Sequence, residues 1–184
     1  MSLRSLVRVL LLLAVWMAAT LPAHAQADDN PYRKAKVGQW VEYSSDFGGQ
    51  TMTMRQTVTA KDEKFVTVKT EMKMGPNAMP AQEQKISLEE PFDPAKMARN
   101  QNIPNAKIET KQLDKSEDKI EVGGKTYTCT RVKIQTNIEV SGQKIESVAT
   151  IWTNPDVPLS GMVRLQTETM GQSFTMDLKG FGDK

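Results

Sequence analysis

Apolar and polar residues alternate with a period of two along most of the chain from Val37 onward. Because neighbouring side chains on a strand point to opposite faces of a sheet, this pattern predicts β-strands with one buried face. Short runs of glycine and polar residues separate the alternating segments, as turns do. The pattern predicts strands over residues 37–45, 51–59, 65–74, 119–122, 125–134, 137–140, 144–152, 161–169 and 172–181.

The turns between these segments favour antiparallel pairing of strands that follow one another in sequence. Gly123-Gly124 separates two alternating segments by two residues, which is a strong hairpin signal. The predicted fold class is mainly β: a curved antiparallel meander sheet, or half-barrel, of about nine or ten strands with one short helix or flap. The helix is predicted near Asp93, a favourable N-cap that precedes Pro94.

The predicted domain covers residues 37–184 and contains one long interruption. Residues 89–118 are polar and are broken by three prolines, which predicts a loop or flap excursion from the sheet. Residues 26–36 are polar and lack alternation, so we predict a disordered leader there.

In the strand predicted at residues 125–134, the apolar residues of the first half and those of the second half fall on opposite faces. Tyr127 and Cys129 are out of phase with Val132 and Ile134 further along the same segment. A bulge near residues 130–131 would bring all four side chains to one face and would bend the sheet.

Two tryptophans lie in strands near opposite ends of the chain, Trp40 and Trp152. We interpret both as large apolar side chains that close the ends of the core, and the alternative is contact with a ligand at a cavity mouth.

The inward-facing positions of several strands are unusually rich in methionine. On a strand, positions i and i+2 share a face, so Met52 with Met54, and Met72 with Met74, each present two thioethers on one surface. Methionine fills irregular cores, lines permissive apolar cavities, or binds copper(I) as a soft ligand, and all three interpretations stay open. The predicted ligand-binding residues are Met52, Met54, Val66, Val68, Met72, Met74, Phe174, Met176 and Leu178.

The first 25 residues carry the features of a secretory signal peptide. They contain Arg4 and Arg8, an apolar run over residues 9–20, and a small-x-small tripeptide at 23–25. The apolar run is shorter than the about 20 residues that a membrane-spanning helix needs. We predict cleavage after Ala25 and a periplasmic or extracellular mature chain without a membrane span.

Composition then narrows the possible chemistry. The chain has 24 Lys and Arg against 22 Asp and Glu, and loss of Arg4 and Arg8 balances them, so no basic field is available for nucleic acid. The single histidine, His24, leaves with the signal, and with it the commonest general base. The single cysteine, Cys129, is interpreted as a small buried apolar residue. We predict no enzyme activity, catalytic residue, cofactor or metal ligand.

Residues 144–182 resemble the C-terminal half of the LolA/LolB-like periplasmic lipoprotein-carrier superfamily and its uncharacterised secreted relatives. The resemblance is carried by a strand ending in Ile151-Trp152, the segment Asn154-Pro155-Asp156, a proline corner, and a closing hairpin that reaches Phe181-Gly182. It implies an unclosed, strongly curved sheet with an apolar hollow for acyl chains. The lid of that family would be either missing here or replaced by residues 89–118.

The function predicted from the sequence is non-enzymatic binding of a lipid or other apolar ligand in the hollow of the curved sheet. Two alternatives stay open: an envelope module that binds another protein and no small ligand, and a methionine-based copper(I)-binding protein. The predicted partners are an acyl chain or lipid, or an envelope protein, and not nucleic acid.

Overall fold

The structure is a computed structural model that describes residues 30–47, 49–90, 107–140 and 143–183. The predicted signal peptide, the helix predicted near Asp93 and residues 91–106 of the predicted excursion lie outside these residues.

The described residues form one antiparallel sheet of ten strands, preceded by a single 3-10 helix at Pro31–Lys34. This confirms the predicted fold class of a mainly β, unclosed sheet. The strands are β1 (Trp40–Phe47), β2 (Gln50–Lys61), β3 (Phe65–Met74), β4 (Asn77–Ala78), β5 (Gln82–Ser87), β6 (Lys107–Val122), β7 (Lys125–Val140), β8 (Gln143–Thr153), β9 (Met162–Thr169) and β10 (Gln172–Gly182).

The order of strands across the sheet is β4-β3-β2-β1-β10-β9-β8-β7-β6, and β5 also pairs with β3. Apart from β3 with β5, which skips the two-residue strand β4, every pair joins consecutive strands except β1 with β10, which places the first and last strands side by side in the middle of the sheet. Strand β6 nevertheless contacts β10, although three strands separate them in the sheet. The sheet therefore curls strongly, and most of its buried side chains belong to a single apolar cluster.

Register shifts at four strand pairs accompany this curvature. They lie between β1 and β10, β2 and β3, β6 and β7, and β8 and β9. An extra residue on one strand of a pair bends that strand and increases its twist, so each shift helps the sheet to curl.

The predicted loop over residues 89–118 is wrong for residues 107–118, which belong to strand β6. This strand pairs with β7 along its whole length. Strand β6 lies at the edge of the sheet, and most of its side chains are exposed. Charged residues recur along it at positions where a buried strand would have apolar residues. Charged side chains on an edge strand discourage pairing with other chains, and they also remove the apolar signal by which a strand is predicted.

The predicted disordered leader is wrong for residues 30–36. Asn30 and Tyr32 are both buried, and the Asn30 side chain accepts a hydrogen bond from the Tyr32 N–H at 3.1 Å. Its amide nitrogen donates to the Ser87 carbonyl oxygen at 2.7 Å. The segment is therefore held to the end of β5 by side-chain hydrogen bonds, which apolar periodicity cannot reveal.

The predicted bulge at residues 130–131 is also wrong. Strand β7 pairs in unbroken register with both of its neighbours through these residues. Tyr127 and Cys129 are buried on one face of the strand, whereas Val132 and Ile134 are buried on the other. The register shift lies instead in β6, between residues 112 and 114.

The two tryptophans have different roles. Trp152 is buried in the core, as predicted, and its Nε1–H donates to Asp118 Oδ2 at 2.8 Å. The prediction is wrong for Trp40, whose partly exposed ring packs over Gly180 and Gly182 instead of joining the apolar cluster. The Arg55 guanidinium stacks on its ring at 4.0 Å from the ring centre.

Substitution of Asn30 tests the order of the N-terminal segment. Asn30→Ala removes the helix cap and the bonds to the carbonyl oxygens of Ser87 and Glu90. We expect a loss of about 1–3 kcal/mol in the free energy of unfolding, because buried backbone groups lose their partners. Urea denaturation measures this loss, and Asn137→Ala, at an exposed position of β7, is the matched control. Equal, small effects of both substitutions would contradict an ordered segment.

Candidate functional site

A cleft of about 730 Å³ opens where the N-terminal segment, the turn after β8 and the end of β10 meet. We call it the corner cleft. On β10, Phe181 pairs with Val41, which is fully buried, so this cleft opens onto the core-facing side of the sheet. Its lining residues include Asn30, Lys34, Ala35, Lys115, Thr130, Thr153, Asp156, Val157, Leu159, Ser160, Phe181 and Asp183.

One asparagine organises the turn after β8. The Asn154 N–H donates to the Gly161 carbonyl oxygen at 2.8 Å, which closes the turn at its base. Its side-chain oxygen accepts from the Asp156 N–H at 2.9 Å, and its amide nitrogen donates to the Thr128 carbonyl oxygen at 2.8 Å on β7. Asn154 thus fixes the turn, which forms one wall of the cleft, to the sheet.

The same turn inserts apolar side chains into the core. Val157 and Leu159 are buried, and Leu159 has a positive φ of 59°, which is uncommon for a branched residue. Gly161 also has a positive φ, of 72°, and a Cβ atom there would lie 3.2 Å from the Asn154 carbonyl oxygen. Close packing therefore determines the shape of this wall.

A hydroxyl contact joins the turn to the centre of the sheet. The Tyr43 hydroxyl lies 3.4 Å from Ser160 Oγ, and both residues are buried. Burial raises the pKa of Tyr43 far above its usual value, and it does the same for the pKa of Tyr32. Both phenols are therefore neutral at physiological pH and act as packing groups.

The N-terminal segment forms the opposite wall of the corner cleft. The Lys61 ammonium donates to the carbonyl oxygens of Arg33 and Ala35 at 2.6 and 2.8 Å. The Arg33 Nε–H donates to the Leu88 carbonyl oxygen at 2.8 Å. These bonds hold the wall to the ends of β2 and β5.

The lining of the corner cleft is amphipathic. Val157, Leu159 and Phe181 provide apolar surface, while Lys34 and Asp156 provide charge of both signs. Among the residues that the structure describes, no group of three or more His, Cys, Asp or Glu side chains could hold a metal ion. The arrangement suits a ligand with an apolar part and a polar end.

The nine ligand-binding residues predicted from the sequence are brought together, but in the core. Eight of them are buried, and Met74 is partly buried against the same apolar cluster. At these positions the hollow of the sheet is filled by its own side chains, and none of the nine lines the corner cleft. Their contact with a ligand stays a prediction.

The predicted ligand-binding residues and the corner cleft nevertheless lie on the same face of the sheet. Along β10 the core-facing residues are Phe174, Met176 and Leu178, and Phe181 follows them at the cleft. The apolar floor of the corner cleft is therefore continuous with the predicted site. The sequence did contain a signal for the cleft, since Pro155 and Pro158 mark the turn, but a proline turn does not indicate that its wall faces the hollow.

Cys129 is buried, as the sequence predicts. Burial, with a smaller effect of the nearby Asp118 carboxylate, raises the pKa of the Cys129 thiol to about 11. At neutral pH the thiol is protonated and is a poor nucleophile.

Comparison with known proteins finds similarity of structure only. No family model matches the chain, and no curated protein matches it. A Bacteroides fragilis protein, provisionally described as exported and with a YmcC-like fold, matches with a TM-score of 0.48 and 11% identity over 80% of this chain and 97% of its own. A Parabacteroides distasonis protein, provisionally described as a lipoprotein, matches with a TM-score of 0.48 and 13% identity over 80% and 96%. Within the described residues, no helix has the length and apolarity needed to cross a membrane.

The turn wall provides a stability prediction. Gly161→Ala should destabilise the fold more than Gly171→Ala, a matched change at a φ of 75° where a Cβ atom meets open space. The control should lose about 1–2 kcal/mol from its left-handed backbone alone. Gly161→Ala adds the crowding against the Asn154 carbonyl oxygen. Equal losses in urea denaturation would show that this wall adjusts freely.

Thiol labelling tests the burial of Cys129. At pH 8 we expect the folded chain to react with a disulfide reagent at least 100-fold more slowly than the urea-unfolded chain, because burial blocks access and raises the thiol pKa. The rate should increase as the pH approaches 11. Labelling of the folded chain at the unfolded rate would show that this face of β7 is open.

Proposed function

We propose that this chain is an extracytoplasmic, non-enzymatic binding protein that holds a lipid or another amphipathic ligand in the corner cleft. The observation that carries the proposal is a cleft of about 730 Å³ at the mouth of the hollow, where apolar and charged side chains converge. Small-ligand sites typically have volumes of about 300–1,000 Å³ and combine apolar walls with a few polar groups.

The continuity of the cleft with the methionine-rich core supports an apolar chain as the ligand. Phe181 at the cleft follows Met176 and Leu178 on the same face of β10. Methionine is flexible and polarisable, so it adapts to ligands of different shape. The ligand's polar end would remain near Lys34 and Asp156 at the rim.

The other parts of the proposal rest on the sequence and on protonation states. The signal peptide features of residues 1–25 support export. Burial keeps the Cys129 thiol protonated, which disfavours nucleophilic catalysis by that residue. An envelope protein as the partner is the competing function, and the ligand experiment distinguishes the two.

A fluorescent apolar probe tests the binding site. The uptake of N-phenyl-1-naphthylamine by the purified chain is measured by fluorescence titration, followed by displacement with a long-chain fatty acid. We expect Phe181→Glu to weaken probe binding at least tenfold, since it places a charge on the apolar floor of the cleft. Phe65→Glu is the matched control, because Phe65 is a partly buried strand residue that does not line the cleft.

Two results would contradict the proposal. Equal weakening by both substitutions would place the probe outside the corner cleft. An absence of saturable uptake by a folded wild-type chain would favour the protein-interaction function instead.

A further inference from the structure

Strands β2 and β3 bring four methionines together on one face, and a fifth follows strand β4. In the register of this pair, Met52 lies opposite Met74 and Met54 lies opposite Met72. Met79 follows β4 and donates its backbone N–H to the Met72 carbonyl oxygen at 2.9 Å, which places it next to Met72 on the far side of β3. We call these five residues the methionine patch.

The spacing of strands allows the thioethers of the patch to converge. Opposed residues have Cβ atoms about 5 Å apart, and residues i and i+2 on a strand are about 7 Å apart. The centre of the four methionines on β2 and β3 is therefore about 4 Å from each Cβ atom. The two bonds from Cβ to Sδ, plus a metal–sulfur bond of about 2.3 Å, can span this distance.

The patch is dry on one side and accessible on the other. Met52, Met54 and Met72 are buried, whereas Met74 and Met79 are partly exposed at its border. An ion could enter at this border, and water there would reduce the cost of desolvating its charge.

A buried hydroxyl lies beside the thioethers. Ser45 is opposite Met52 in the register of β1 and β2, and its Oγ has no hydrogen-bond partner within the part of the chain that the structure describes. Buried polar atoms normally have a partner, so an orphaned hydroxyl needs an explanation. A water molecule on a bound ion would provide that partner.

From this geometry we propose that the methionine patch is a binding site for copper(I). Thioethers are soft ligands that select copper(I), and they need neither histidine nor deprotonation to bind it. The site is distinct from the corner cleft, because none of the five methionines lines that cleft.

Silver(I), a redox-inert analogue of copper(I), is the first probe. Because the Cys129 thiol is a competing soft ligand, the reference is the full chain carrying Cys129→Ala. We expect one silver ion per chain after desalting, and copper(I) binding in competition with a chromogenic chelator. Met54→Leu combined with Met72→Leu should reduce the affinity at least tenfold and preserve core volume.

The matched control is Met162→Leu combined with Met176→Leu, at buried methionines on β9 and β10. This variant should bind silver(I) like the reference. Methyl resonances of Met52, Met54, Met72, Met74 and Met79 should shift on binding, while those of Met162 and Met176 should not.

Silver retention that is equal in both double variants would overturn the proposal, as would an absence of retained silver in the folded reference chain. Urea denaturation should show that the Met54→Leu, Met72→Leu variant stays folded, so a loss of silver binding is not a loss of structure.

Discussion

The pairing of β1 with β10 is the contact on which the rest of the structure depends. It joins the two ends of the described chain, so that Val41 lies opposite Phe181 and Tyr43 opposite Leu178. Without it the sheet would separate into one set of strands from β1 to β5 and another from β6 to β10. Neither set alone would bury the side chains that now share one core. This pair has the largest sequence separation in the sheet, so closing it costs the most chain entropy.

The corner cleft follows directly from this closure. Strand β10 carries Phe181 to the same end of the sheet at which the turn after β8 and the N-terminal segment lie. Tyr43 on β1 then reaches Ser160 in that turn, across a sequence separation of 117 residues. The walls of the cleft therefore come from three distant parts of the chain. Their relative positions are set by the register of the two central strands.

Alternation alone predicts most of the sheet, because most strands bury one face. The prediction fails where interactions other than the burial of one apolar face determine the structure. Strand β6 is an edge strand whose side chains are mostly exposed, so its polar sequence is indistinguishable from a loop. The segment at residues 30–36 is held by the side-chain hydrogen bonds of Asn30 and by the buried ring of Tyr32. Neither contact leaves a periodic pattern in the sequence. In β7 the buried face changes along a 16-residue strand, and the sequence suggested a bulge in place of burial on both faces.

The candidate site shows the same division between local and long-range information. Periodicity correctly placed the nine predicted residues on the buried face, and the register of β2 with β3 then brought the two methionine doublets together. What covers this face could not be predicted, because an apolar face looks alike in sequence whether it meets a ligand or other side chains. Tyr43 contacts both regions of interest: it lies opposite Met54 on β2, and its hydroxyl reaches Ser160 in the turn. Because Tyr43 is a shared partner and both regions belong to one apolar cluster, the cleft and the methionine patch are not energetically independent.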